Sequence, residues 1–128
     1  MKLEHVAWQV PNPPTVADWY VAHLGFTIAR QMDQSPWTTF IKTADGAVLI
    51  EIYHNPAAPL PDYPNQDPLV LHLAFAVEDI EGERARLLAA GCTIETDLFT
   101  IPNGDQILML RDPWGFALQL VRRSTPLL

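Results

Sequence analysis

The chain has 128 residues, the size of one ordinary domain, and no run of it approaches the roughly 18 apolar residues that a membrane helix needs. Hydrophobic residues make up 48% and charged residues 18%, which argues for a packed core and against disorder. A formal net charge of −7 opposes binding to nucleic acid or to anionic membranes, and the single cysteine, Cys92, rules out an intrachain disulfide or a cysteine-based zinc site.

Taken in chain order, the sequence reads twice. Leu3 to Val10 alternates like a strand and lies in register with Val70 to Val77: histidine, alanine, a bulky aromatic and valine match. A helix is expected from Pro14 to Leu24, stopped by Gly25, and another from Ile80 to Ala90, stopped by Gly91. Strand starts follow at Gly25 to Ile28 and at Gly91 to Ile94. Two further strands close each half. Thr38 to Thr43 and Ala47 to His54 flank the hairpin signal Asp45-Gly46, and Gln106 to Arg111 and Phe116 to Arg122 flank Asp112-Pro113-Trp114-Gly115. The prediction is an α+β chain of two βαβββ modules, 1–54 and 69–123, joined by a proline-rich linker, 55–68. Prolines at 56, 59, 61, 64 and 68 make that linker extended. The start Met1 to His5 lacks the pattern of a secretory signal, so the cytoplasm is the expected compartment.

Side chains alternate between the two faces of a strand. His5 shares a face with Leu3, Ala7 and Gln9, and His72 shares one with Val70, Ala74 and Ala76. Glu51 lies with Leu49 and Tyr53, and Gln119 with Ala117 and Val121. Four polar groups thus interrupt apolar strands at equivalent places: His5, Glu51, His72 and Gln119. A buried carboxylate without a partner is costly, and a cation removes that cost. Two imidazoles, a carboxylate and an amide oxygen are a suitable set for one divalent first-row metal, with open positions left for two adjacent substrate oxygens.

These two modules, with histidine on each first strand and Glu or Gln on each fourth, resemble the vicinal oxygen chelate superfamily, which contains glyoxalases, bleomycin-resistance proteins and extradiol dioxygenases. Trp19 to Phe26 and Arg111 to Phe116 are similar to its FY…LGF and DPxG motifs. The resemblance spans nearly the whole chain. It implies a curved sheet around a metal with helices outside, His5, Glu51, His72 and Gln119 as the metal positions (Ni, Zn, Mn, Co or Fe), a small-molecule substrate and a homodimer.

Locally, Glu51-Ile52-Tyr53-His54-Asn55 is similar to the E-L-T-H-N segment of glyoxalase I. That implies a lyase or isomerase with Glu51 as its catalytic carboxylate and Tyr53 and Asn55 against the substrate. Three departures argue against glutathione. Gln119 stands where glyoxalase I has its catalytic Glu, Gln9 stands where that family has an arginine, and Pro68 to Leu71 holds no charge. Arginine forks are the usual clamp for the carboxylates of glutathione. A ring-cleaving dioxygenase, using His5, His72 and Glu51, and a metal-free drug-binding protein are the alternatives. His54 should point away from Glu51, and Cys92, just after a capping glycine, reads as a packed thiol. Trp37, Phe40, Phe99 and Trp114 are candidates for a pocket wall or for core.

Overall fold

A computed structural model of the protein describes residues 1–127. The chain forms two compact units, one from Met1 to Pro61 and one from Asp62 onward. In the first, β1 (Val6–Gln9), α1 (Pro13–Leu24), β2 (Thr27–Gln31), β3 (Thr39–Lys42) and β4 (Leu49–Tyr53) follow in order. The second repeats them as β5 (Leu73–Ala76), α2 (Ile80–Ala89), β6 (Thr93–Thr100), β7 (Gln106–Arg111) and β8 (Ala117–Arg122). The sheets have the same topology, β1-β4-β3-β2 and β5-β8-β7-β6, with the first pair parallel and the others antiparallel. The α+β reading with two βαβββ modules therefore holds. No helix among the described residues is long and apolar enough to cross a membrane.

Helix boundaries follow local chemistry. The Asn12 side chain accepts from the Thr15 N–H, Pro13 and Pro14 occupy the first turn, and Gly25 at φ 71° closes α1 by donating its N–H to the Tyr20 carbonyl. In α2, Asp79 caps the Gly82 N–H, Glu81 and Glu83 lie in the first turn, and Arg86 lies in the last, each favoured by the helix dipole. Each helix covers one sheet face. Val16, Ala17 and Tyr20 pack with Ile41, Ile50 and Ile52 in the first unit, and Ile80 and Leu87 with Leu108, Leu110, Leu118 and Leu120 in the second; all are buried.

The opposite sheet face carries the expected site residues Glu51 and Gln119. Ala7 pairs with Glu51 and Glu51 with Phe40; Ala74 pairs with Gln119 and Gln119 with Met109. Both first strands are shorter than expected, so His5 and His72 stand one residue before β1 and β5. The Val6 partner is Ile50, and β4 begins at Leu49 out of the Asp45-Gly46 turn, which leaves little for earlier residues to pair with. In the second unit the Asp67 side chain accepts from the Leu69 N–H and its carbonyl from the Val70 N–H, a turn that holds 67–70 out of the strand.

The linker also departs from a plain extended tether. The buried Gln9 carboxamide takes the Asn55 N–H at 2.6 Å and donates to the carbonyls of Ala58 (2.7 Å) and Pro59 (3.2 Å). Tyr63–Asn65 forms a single 3-10 turn. Proline removes donors but leaves every carbonyl free to accept, and here those carbonyls are used.

Candidate metal and substrate site

His5 and Glu51 are brought together. The His5 Nδ1 is 2.6 Å from Glu4 Oε2, its Nε2 is 3.2 Å from Glu51 Oε2, and its ring meets Phe40 edge-on at 5.6 Å. With Nδ1 donating to Glu4, an Nε2 lone pair would face a carboxylate oxygen. A hydrogen on Nε2, or a cation shared by both groups, makes that contact attractive.

His72 has the same arrangement with a different partner. Its Nδ1 donates to the Pro68 carbonyl at 2.8 Å, so Nε2 carries the lone pair. A carboxylate or carbonyl on Nδ1 is the usual support for a histidine that ligates through Nε2. His72 thus suits a metal in donor type and tautomer, and His5 in donor type. Among the described residues, no three His, Cys, Asp or Glu side chains are grouped closely enough to hold an ion. The His5–Glu51 pair lies in the first unit, and His72 and Gln119 lie in the second.

Gln119 lines a cavity of about 760 Å³ in the second unit, with Thr96, Phe99, Ile107 and Met109 on its strands and 64–69 along its rim. Sequence reasoning gave the linker no part in a cavity. It also missed the residue that holds the linker there. The Arg111 guanidinium is nearly buried and donates to Glu95 Oε2 (2.6 Å), to the carbonyls of Tyr63 (2.7 Å) and Gly115 (2.9 Å), and to the Gln66 carbonyl (2.8 Å). Arg111 is the only Lys or Arg on the described cavity wall, and its charge is already matched by Glu95. The other charged group of the lining is Asp67. The cavity therefore offers no free cation to an anionic substrate. An arginine directly before the Asp112-Pro113 turn was the one available signal, and nothing local marks its distant partners.

The remaining candidates are distributed as follows. Tyr53 is half-buried and ends β4 on the Glu51 face. Asn55 lies just beyond it, its Oδ1 accepting from the Ala57 N–H. His54 points to the other side, where its Nδ1 donates to the Val10 carbonyl at 3.0 Å. Cys92 is buried, and that burial, with the negative charge of Asp112, pushes its thiol up to about 12, which keeps it un-ionised near neutral pH. Phe99 lines the cavity and Trp37 a separate notch.

The family model for the Glyoxalase/Bleomycin resistance protein/Dioxygenase superfamily matches residues 2–120. Among solved structures, a glyoxalase family protein from Enterococcus faecalis is 30% identical, with a TM-score of 0.69, over 94% of this chain and 97% of that one. The structure of SMU.1112c is 27% identical, TM-score 0.71, over 95% and 98%. A glyoxalase family protein from Bacillus cereus shares the fold at TM-score 0.76 with 17% identity, over 95% and 93%. No curated protein matches the sequence.

Proposed function

The chain belongs to the Glyoxalase/Bleomycin resistance protein/Dioxygenase superfamily, and from that membership we propose a metal-dependent lyase or isomerase acting on a small molecule with two neighbouring oxygens. Most of the superfamily are enzymes, and metals are often bound. His5, Glu51, His72 and Gln119 would hold one divalent ion (Ni, Zn, Mn, Co or Fe). The observation that carries this reading is a shared arrangement: each histidine has Nδ1 beside an oxygen, and the His5 Nε2 is 3.2 Å from Glu51. When bound, the cation supplies Lewis-acid polarisation of the substrate oxygens.

The chain's own residues do the rest. Glu51 is the carboxylate of the set and takes the proton at its Oε atoms. Gln119 cannot accept a proton near neutrality and instead positions the substrate by hydrogen bonding. Tyr53 and Asn55 flank Glu51 as substrate contacts. The cavity beside Gln119 favours an uncharged, largely apolar substrate, because Arg111 is already committed to Glu95.

We further propose a cytoplasmic homodimer. Leu69, Val70 and Leu71 before β5, and Leu3 and Val6 at β1, are exposed apolar residues that a second copy would cover.

Metal-reconstituted protein assayed on thiol–oxoaldehyde adducts and on catechols tests the reading. Glu51→Gln should lower turnover by about 100-fold or more, while Gln119→Glu should keep it. Full activity in Glu51→Gln would contradict Glu51 as the base. Ferrous-dependent consumption of dioxygen would favour ring cleavage instead. Tight ligand binding without metal or turnover would favour a sequestering protein, which the roomy second-unit cavity would also suit.

A further inference from the structure

A second cavity, about 340 Å³, lies in the first unit between Pro11, Asn12, Pro13, Pro14, Trp37 and His54. We propose that it is a binding site for a neutral aromatic ring carrying one hydroxyl, a phenol-class ligand. By strand alternation it is on the side of the sheet away from Glu51.

Three observations specify the ligand. Trp37 has φ 61°, a conformation that crowds the Cβ of any bulky residue. Its backbone is fixed there by its N–H on the Gln34 carbonyl (2.7 Å) and by the Thr39 hydroxyl on its own carbonyl (3.1 Å). Yet the side chain is still 41% exposed, so core burial does not repay the strain. It lines the notch. Next, the backbone of His54 is bonded to the Pro36 carbonyl (2.8 Å) and its Nδ1 to Val10 (3.0 Å), which leaves Nε2 as a lone-pair acceptor. Finally, the notch holds no cation for an anion. Pro13 and Pro14 have no N–H, the Thr15 N–H serves the Asn12 side chain, and no Lys or Arg lines the space. An aromatic ring on Trp37, closed in by pyrrolidine rings and donating its O–H to His54, satisfies all three.

The second unit shows that the scaffold does not require such a notch. Ile41 pairs with Ile50, and Leu110 with Leu118, so Trp37 and Gln106 hold equivalent places, as do His54 and Arg122. There Arg122 donates to Gln106 at 3.2 Å, and the adjacent Asp105 carboxylate accepts from Ser124 and Arg123. That end is bridged by polar side chains, whereas the first unit offers an aromatic wall and an acceptor.

The test is an NMR titration of the full chain with phenol and with benzene. Phenol should give saturable shifts at the Trp37 indole N–H and the His54 amide, roughly fivefold tighter than benzene, the usual range for one net hydrogen bond. His54→Phe should abolish that preference while ring binding persists. Trp37→Gly, which suits the positive φ and so keeps the fold, should abolish binding of both. Equal affinity for the two probes, unsaturable shifts, shifts confined to the cavity beside Gln119, or binding that survives Trp37→Gly would each overturn the proposal.

Discussion

At matching rows of their sheets, the first unit holds Ala7, Glu51 and Phe40 and the second holds Ala74, Gln119 and Met109. On the helix-covered face the two agree in kind, isoleucines in one and leucines in the other. Even the strand exits match: the Val10 N–H reaches the Tyr53 carbonyl and the Val77 N–H the Val121 carbonyl, both at 2.9 Å. The repeat is thus kept where packing fixes the fold and abandoned where side chains leave it. The first unit keeps the carboxylate beside its histidine. The second gives up that charge for an amide and holds the larger cavity, walled by a segment that Arg111 fastens in place.

The sharpest way to break this comparison is at the place shared by Arg111 and Lys42, each directly after the paired residues Leu110 and Ile41. Arg111→Met strands the carbonyls of Tyr63, Gln66 and Gly115 and breaks the ion pair with Glu95. It should cost about 3–5 kcal/mol in urea unfolding, whereas Lys42→Met, at an exposed site, should stay within about 0.5 kcal/mol. Equal effects would mean that the fastening of the linker carries no weight. The two hairpin glycines come next. Gly115 has φ 87°, and a Cβ there would sit 2.7 Å from Pro64 Cδ, while Gly46 at φ 73° has only the Lys42 side chain nearby at 3.8 Å. Gly115→Ala should therefore destabilise by about 2–4 kcal/mol and Gly46→Ala by about 1–2 kcal/mol.

A pH experiment separates the units more gently. The Ser124 N–H first, then Arg123, the Ser124 hydroxyl and Asn103, hold the Asp105 carboxyl far below the usual carboxylate range. A depressed carboxyl contributes stability above its unfolded pKa, near 4, and that contribution is lost as pH falls through the lower folded value. Asp105→Asn should thus be less stable than wild type at pH 7 and lose less stability between about pH 5 and pH 2. Pro36 holds the equivalent place in the first unit, so no comparable acid dependence should arise there. The smallest effect is expected at Trp37, where the Gly variant should exceed the Ala variant in stability by about 1 kcal/mol because only glycine is at ease at φ 61°.

What could be read in the sequence follows the same division. The repeat fixed the order of elements, and Gly25, the expected stop of the first helix, caps it. His5 and Glu51 stand together in the set that the repeat register and the family resemblance imply, and the structure places them 3.2 Å apart. The fate of the linker was not legible. Its prolines predict an extended chain, but what shapes it are bonds from Gln9 and Arg111, some 45–50 residues away. Gln9 was noticed only as a missing arginine, and its buried carboxamide turns out to fasten the start of the linker. Alternation placed His54 away from Glu51, yet it carries no information on the bend at Trp37 that makes the notch beside it.

The proposal that His5, Glu51, His72 and Gln119 serve a single ion can be tested directly. Titration calorimetry of metal-stripped, untagged protein with nickel or zinc, repeated on His5→Ala and His72→Ala, tests it most directly. The account predicts about one ion per chain in the wild type and a loss of affinity of at least about tenfold in each variant, as removing a ligand from one shared site must produce. No uptake by the wild type, or two weak sites each lost with only one of the histidines, would contradict it.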